Sequence, residues 1–593
     1  MYQEFTKSRT GANNKCPMES RDHFKNGVSP KNQRSRGKSK IMRNSLLLFV
    51  ATMLFSITSA FAEGGTTGPL TWNLNSGTLT ITVTSGGTGA MPDYNLMYAN
   101  PPWYDYRLSI NTIDIKNGVT KIGDNAFVDC QILTTLNIGD NVITIGSSAF
   151  FNCYSLKDLT IPASVNEIHN AAFNNCSSLT EVTIVQSQIA LDFSTASFIA
   201  NFYGSDNIKK IYLGRNITYY VNLMGSASPF KGKALLSDLT IEKGVTEIGN
   251  GLFDGCKSLP KVIIPNSVNQ AIGECAFKDC ESLKTLIIGS NVPAIGSYAF
   301  YNCHSLTTLT IPASVNKIES RAFDGCSSLT DVTIDQSQIA LDFSVVAYGA
   351  NFYGSENIKK IDLGRNITYY DSASPFKGKA LLSDLTIEKG VTEIGNSLFE
   401  DCISLPEVTI PNSVNTIDDN AFSGCQNLLT LTIGSGVQTI GNNAFSGCKK
   451  LQKILSYPCN PPTIQSNTFS SVNTNIPVHI DCDCLKNYKG KDYWNDFTNW
   501  RRIDDGSPCI TSITEVSEAS DLIIHPNPTT GELIINNEQL SMNNAEYIIF
   551  NLTGQMVMQG KLQGETTTIN VASLPSGMYY LRIAGKAVKF VKM

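Results

Sequence analysis

A phenylalanine returns along this chain at Phe127, Phe150, Phe173, Phe202, Phe230, Phe253, Phe277, Phe300, Phe323, Phe352, Phe376, Phe399, Phe422 and Phe445. The spacings are 23, 23, 29, 28, 23, 24, 23, 23, 29, 24, 23, 23 and 23. A unit this short cannot bury its own apolar side, whereas stacked copies can, so the period predicts a solenoid.

Each phenylalanine is followed by Leu or Ile at +6, an aliphatic at +9 and usually Ile or Leu at +11, as in Phe300, Leu306, Leu309 and Ile311. The last two alternate with polar residues, which predicts a half-buried strand. In "A-F-x-x-C-x-x-L" the apolar positions fall at i, i+1, i+4 and i+7, which predicts one short helical turn facing inward. Gly, Ser, Asn and Pro punctuate the joints. The expected class is an α/β repeat, mostly β. Tyr104, 23 residues before Phe127, is expected to open a degenerate first unit with Ile110, Ile113 and Ile115.

A second repetition overlies the first. "SQIALDFS" at 187–194 returns at 337–344, "LGRNITYY" at 213–220 returns at 363–370, and residues 226–250 return unchanged at 372–396. The offset falls from 150 to 146 where "VNLMG" is replaced by Asp371. A block of about six units was duplicated, and the deletion between identical stretches marks a loop.

With these residues in view, "VTEIGNSLFEDCISLPEVTIPNSVNTIDDNAFSGC" resembles the BspA-like subtype of leucine-rich repeat, over roughly residues 68–500. "LTWNLNSGTLTITVTSGGTGAMPDY" is similar to that family's hairpin-like N-terminal cap, and "NPPTIQSNTFSSVNTNIPVHIDCDCLKNYKGKDYWNDFTNW" to its closing cap. The expected organisation is a cap at 63–103, repeats at 104–468 and a closing cap at 469–509.

Ten cysteines stand at +3: Cys130, Cys153, Cys176, Cys256, Cys280, Cys303, Cys326, Cys402, Cys425 and Cys448. Ser205, Lys233, Ser355 and Lys379 take that place in the other units. Neighbouring coils about 4.8 Å apart bring Cα atoms within disulfide range, but parallel Cβ vectors leave Cβ atoms farther apart than the usual ~3.8 Å. Single thiols in a column form no tetrahedral cluster, no C-x-x-C pair occurs, and the chain has five His, so no metal is expected. The repeat cysteines are expected to be reduced, buried small hydrophobes. Cys459, Cys482, Cys484 and Cys509 permit three pairings, with one or two disulfides expected among them.

Residues 42–62, "MRNSLLLFVATMLFSITSAFA", read as a secretory signal peptide with a small-x-small cleavage site at Ala60-Phe61-Ala62. Residues 1–41 carry ten Lys/Arg and no periodicity; they are expected to be a non-native extension ahead of a start at Met42. No later segment is long and apolar enough to cross a membrane.

After a polar linker at 510–520, residues 521–593 alternate apolar and polar residues between turns, which predicts a small all-β sandwich. "HPNPTTG", "IFNLTGQ", "LPSGMYYLR" and "KFVK" resemble the type A sorting domain of the type IX secretion system, with His525 where that family usually has Tyr. By that resemblance the sorting positions are Pro526, Asn527, Pro528, Gly531, Gly554, Pro575, Gly577, Tyr579, Leu581 and Lys589. The domain would direct periplasmic cargo across the outer membrane of a Gram-negative bacterium and then often be removed.

Composition narrows function. Charged residues are 16% and the net charge is −5, giving neither a basic field for nucleic acid nor an acidic tail for a basic partner. Position +10 points outward and is Thr at Thr160, Thr183, Thr240, Thr310, Thr333, Thr386, Thr409 and Thr432, with Tyr212, Ile263, Ile287 and Asp362 among the exceptions. Threonine there reads first as strand propensity on a solvated face. Lys209, Lys210, Tyr212, Lys359, Lys360 and Asp362 form the candidate ligand face. The expectation is a secreted or surface-anchored, adhesin-like binder of an extracellular protein or glycan, without a cofactor. A structural surface-layer component is the alternative. Enzymatic activity is opposed by the lack of an H-E-x-x-H or G-x-S-x-G motif.

Overall fold

The computed structural model describes residues 63–193, 201–222, 225–343, 351–370, 373–509, 524–536, 545–552, 554–562, 566–583 and 586–593. The extension, signal peptide and linker expected at 1–41, 42–62 and 510–520 lie outside the described residues. The chain divides into two compact units. The first runs to Leu429 and includes Gly436–Lys450 and Gln465–Val472; the second is Thr430–Ser435, Leu451–Ile464 and Asn473–Met593.

In the first unit, strands Glu63–Thr67, Leu70–Asn75 and Thr78–Val83 form an antiparallel meander. Its last strand pairs in parallel with Thr112–Ile115, which pairs in parallel with Thr135–Ile138. Later coils keep the same register: Leu159, Val182, Ile211 and Leu239 are opposite one another across successive strands. The strand alternation is as expected, with Leu159, Ile161, Val182 and Ile184 buried. A second ladder of two-residue strands, including Lys121–Ile122, Thr144–Ile145 and Glu167–Ile168, runs beside the first.

The third side of each coil differs from expectation. The "A-F-x-x-C-x-x-L" segment is a non-helical double turn, with left-handed residues two before and two after the ring: Asn125 and Asp129 around Phe127, Ser148 and Asn152 around Phe150. Its hydrogen bonds run between coils, as from Phe127 N to Ala149 O and Phe150 N to Ala172 O, both 2.8 Å. The reason is spacing. An α-helix with side chains is about 10–12 Å across, whereas rings in neighbouring coils are centred 5.2 Å apart at Phe127–Phe150. Helices would not fit side by side at that repeat.

The rings form one column from Trp103 through the fourteen phenylalanines to Phe469, with centroids 5.2–6.1 Å apart and planes inclined by 3–22°. The first ring is therefore Trp103, not Tyr104. Its indole is buried and donates to Ala126 O at 2.8 Å, while Tyr104 turns away to sit under the Arg107 guanidinium.

All ten repeat cysteines are buried free thiols. Desolvation pushes Cys130, Cys176 and Cys256 up to about 12. They do more than fill space. In nine coils the Sγ donates, at 3.4–3.5 Å, to the carbonyl of the phenylalanine one coil earlier. Where cysteine is replaced, the new side chain takes over the same duty. Ser205 donates to Phe173 O and Ser355 to Phe323 O. Lys233 Nζ donates to Phe202 O at 2.7 Å and Lys379 Nζ to Phe352 O at 2.8 Å. Several of these carbonyls also accept the backbone N–H three residues on, as Phe300 O does from Cys303 N at 3.4 Å, so the side chain adds a second bond that ties one coil to the next, worth about 0.5–1.5 kcal/mol.

In the second unit, strands Thr430–Ile433, Lys453–Ser456, Pro477–Ile480 and Asn499–Arg502 form a parallel ladder. The cap packs Tyr488 and Trp494 inward; Tyr488 OH shares a 2.7 Å hydrogen bond with Ser456 Oγ, and Trp494 Nε1 donates to Pro462 O. Two disulfides close it, Cys459–Cys484 and Cys482–Cys509, which selects one of the three pairings. The same unit contains two antiparallel sheets, one of Ile524–His525, Glu532–Asn536 and Thr566–Asn570, the other of Glu546–Asn551, Met556–Lys561, Gly577–Ile583 and Lys586–Lys592. Leu533, Ile549, Ile569, Leu581 and Phe590 share their core.

Candidate ligand face and sorting module

Alternation along each strand turns the residues at +8 and +10 outward. The +10 residues align as Thr160, Thr183, Tyr212 and Thr240, and again as Thr310, Thr333, Asp362 and Thr386. The phenol of Tyr212 donates to the Glu242 carboxylate, which raises its pKa. At +8, Lys210 stands between Glu181 and Asp238, and Lys360 between Asp331 and Asp384. Lys210 Nζ lies 3.1 Å from Glu181, and Lys360 Nζ 3.3 Å from Asp362, whose hydrogen-bonded carboxylate raises the lysine pKa.

The face thus brings Lys210, Tyr212, Lys360 and Asp362 onto the outward rungs, with their charges compensated. Lys209 and Lys359 stand exposed just before the strands, their backbone N–H groups donating to Thr180 O and Thr330 O. Ile263 and Ile287 are direct neighbours across two strands and are 44% and 50% exposed. The sequence shows them as exceptions to the threonine column, but their lateral pairing emerges only in the register. Among the described residues, no group of three His, Cys, Asp or Glu is placed to hold a metal.

The sorting positions divide by burial. Tyr579 and Leu581 are buried, Tyr579 stacking on Phe590 at 5.5 Å and donating its hydroxyl to Pro575 O at 2.8 Å. Gly531 O accepts from Val571 N. Gly554 has φ +82° in the hairpin turn, a conformation strained for other residues. Asn527 clamps the last strand, donating to Lys589 O and accepting from Val591 N, each at 2.9 Å. Pro526, Pro528, Pro575, Gly577 and Lys589 are exposed.

Residues 103–222, 226–348 and 370–483 match the model of the BspA type leucine rich repeat region, in six copies. Residues 523–593 match that of a secretion system C-terminal sorting domain. Among solved structures the chain is similar to a leucine-rich repeat protein from Bacteroides ovatus, at 22% identity over 66% of this chain and 94% of that one, with a TM-score of 0.40. It is also similar to a leucine rich cell surface protein from Faecalibacterium prausnitzii, at 26% identity over 66% and 94% of the two chains, with a TM-score of 0.25. No curated protein matches the chain. The repeat match covers more than half of the sequence, so the chain belongs to the BspA-type leucine-rich repeat family and carries a type IX secretion sorting domain.

Proposed function

We propose that this secreted protein acts at the outer surface of a Gram-negative cell as an adhesin-like binder of an extracellular protein or glycan. It is a binding scaffold, not an enzyme, and works without a cofactor. The observation that carries the reading is the outward strand face. Threonine hydroxyls, Tyr212, compensated ion pairs and the exposed Ile263–Ile287 pair are held in register by a buried column of rings. Polar groups that lack net charge, beside an apolar pair, suit a neutral partner surface better than a strongly acidic ligand.

The test is saturable binding of the mature chain to a panel of immobilised matrix proteins and glycans. Binding should be weakened by Tyr212→Ser and by Ile263→Ser with Ile287→Ser, and should change little between 50 and 300 mM salt. Saturable binding to no panel member, with the chain instead assembling into a regular surface array, would favour the structural surface-layer role.

A further inference from the structure

The two copies of the duplicated block part company on one flank of the double turns. Ser148, Phe151, Ala171 and Asn174 of the first copy correspond, at the offset of 150, to Tyr298, Tyr301, Arg321 and Asp324 of the second. Tyr298 and Arg321 hold left-handed backbone, with φ of +56° and +55°. Among the described residues, the other left-handed positions of the double turns carry only Asn, Asp, Ser, Ala, Cys or Gly. A bulky side chain is strained there, and strain of that kind gathers at binding sites.

The four side chains form one patch. Tyr298 and Tyr301 meet edge to face, with ring centroids 5.5 Å apart. Arg321 Nε lies 3.8 Å from Asp324 Oδ2. These pairs stand on neighbouring coils tied beside both of them: Tyr298 N donates to Ser320 O at 3.0 Å, and Asn302 N donates to Asp324 O at 2.9 Å. Burial, and then the charge of Asp324, raise the pKa of the Tyr301 phenol, as expected of a carboxylate close by. One coil on, Tyr353 extends the row: its carbonyl accepts from Gly325 N at 2.8 Å, and its side chain is 69% exposed. His304, also exposed, donates Nδ1–H to Gly325 O at 2.9 Å.

The chemistry narrows the partner. Residues 297–305 and 319–328 expose phenol, guanidinium, imidazole and hydroxyl groups but no aliphatic side chain. The nearby charges pair off, Lys278 with Asp279 at 3.6 Å and Arg321 with Asp324, so no net field draws an anion. A patch of this size also falls short of the roughly 20–30 residues a side of a stable protein interface. A neutral sugar fits these limits, because it offers an apolar C–H face to an aromatic ring and hydroxyls to the polar groups around it. We propose that this patch is a binding site for a neutral glycan chain, with sugar rings lying against the tyrosine rings and their hydroxyls bonded by Arg321, Asp324 and His304. It occupies the double-turn side of the coil, apart from the outward strand face, and does not depend on that face having a ligand.

Affinity electrophoresis of the full chain through native gels containing dextran, xylan or mannan tests the site. Retardation by at least one of the three is expected. Tyr298→Ser with Arg321→Ala should weaken it at least tenfold. That variant should keep the wild-type urea midpoint, because Ser148 and Ala171 hold the same backbone conformation in the first copy. Tyr353→Ser should weaken retardation as well. Tyr203→Ser, its counterpart in the first copy, and Tyr212→Ser, on the strand face, should leave it unchanged, so the two readings fail separately. Retardation by none of the polysaccharides, wild-type retardation of the double variant, or an equal loss with Tyr203→Ser or Tyr212→Ser would overturn the proposal. If the double variant instead loses only binding to an immobilised matrix protein, the patch is a protein contact and the proposal falls.

Discussion

The coil of Phe300 and the coil of Phe202 build the same layer from different residues. Around Phe300 the repeat is regular, and Cys303 and Cys326 donate to the ring-residue carbonyls one coil back. Phe202 follows a 29-residue coil and precedes a 28-residue one. There Ser205 and Lys233 supply the donors, Phe193 packs edge-on against the ring at 6.3 Å, and the buried Arg215 reaches two coils back to Pro162 O and Ala163 O. Phe343, Ser355, Arg365 and Lys379 repeat the arrangement in the second block. The comparison teaches that the ring and the donor are the constants. Cysteine serves in most coils, Ser205 and Ser355 serve after the two 29-residue spacings, and Lys233 and Lys379 serve one coil later.

The largest effect should come from the ring. Phe300→Ala should cost about 3–5 kcal/mol in chemical denaturation. Phe202→Ala should cost at least as much, because Phe193 also loses its edge contact. A cost below 1 kcal/mol at either position would remove the ring column from the account.

Next comes the donor. Lys233→Ala leaves the Phe202 carbonyl with Ser205 N as its donor, at 3.0 Å, and removes both the coil-to-coil hydrogen bond and the partner of Asp206, so a loss of about 1–2 kcal/mol is expected. Lys233→Cys should recover part of that loss, and Cys303→Ser should be milder than Cys303→Ala, as Ser205 already shows the exchange to be compatible with the coil. Equal losses for Cys and Ala at 233, measured by urea midpoints, would mean that packing alone matters there.

A smaller effect separates the two blocks. Phe173 is followed by Asn174, whose Oδ1 accepts from Tyr203 N, but Phe323 is followed by Asp324. Burial raises the Asp324 carboxyl from 3.8 to about 6, against the opposing pull of Arg321. The folded chain therefore holds the proton more tightly. This contribution favours folding at low pH and is lost as pH rises from about 4 through about 6. Asp324→Asn should flatten the stability profile across that window and stabilise the chain at pH 7 by on the order of 1 kcal/mol. An unchanged profile would show that the carboxyl is solvated.

Much of this was legible in the sequence. The period announced the solenoid, the alternation after each ring marked the strands, and the four C-terminal motifs marked the sorting domain. Four things were not legible. The "A-F-x-x-C-x-x-L" spacing fits a helical turn, and only the coil-to-coil distance rules it out. The burial of Arg215 in "LGRNITYY" has no local signal, because its acceptors lie 52 and 53 residues earlier. The candidate face was visible as single residues, but the carboxylates that compensate Lys210 and Lys360 depend on register. The cap cysteines left three pairings open because spacing alone does not choose among them.

The central claim is that each coil is held by its neighbours through the ring column and the carbonyl donors, not by one global core. Hydrogen exchange on Phe300→Ala tests it most directly. The account predicts faster exchange across roughly residues 272–330, with protection kept at 450–500 and in the sorting module. Uniform loss of protection through residue 500, or no change around Phe300, would contradict it.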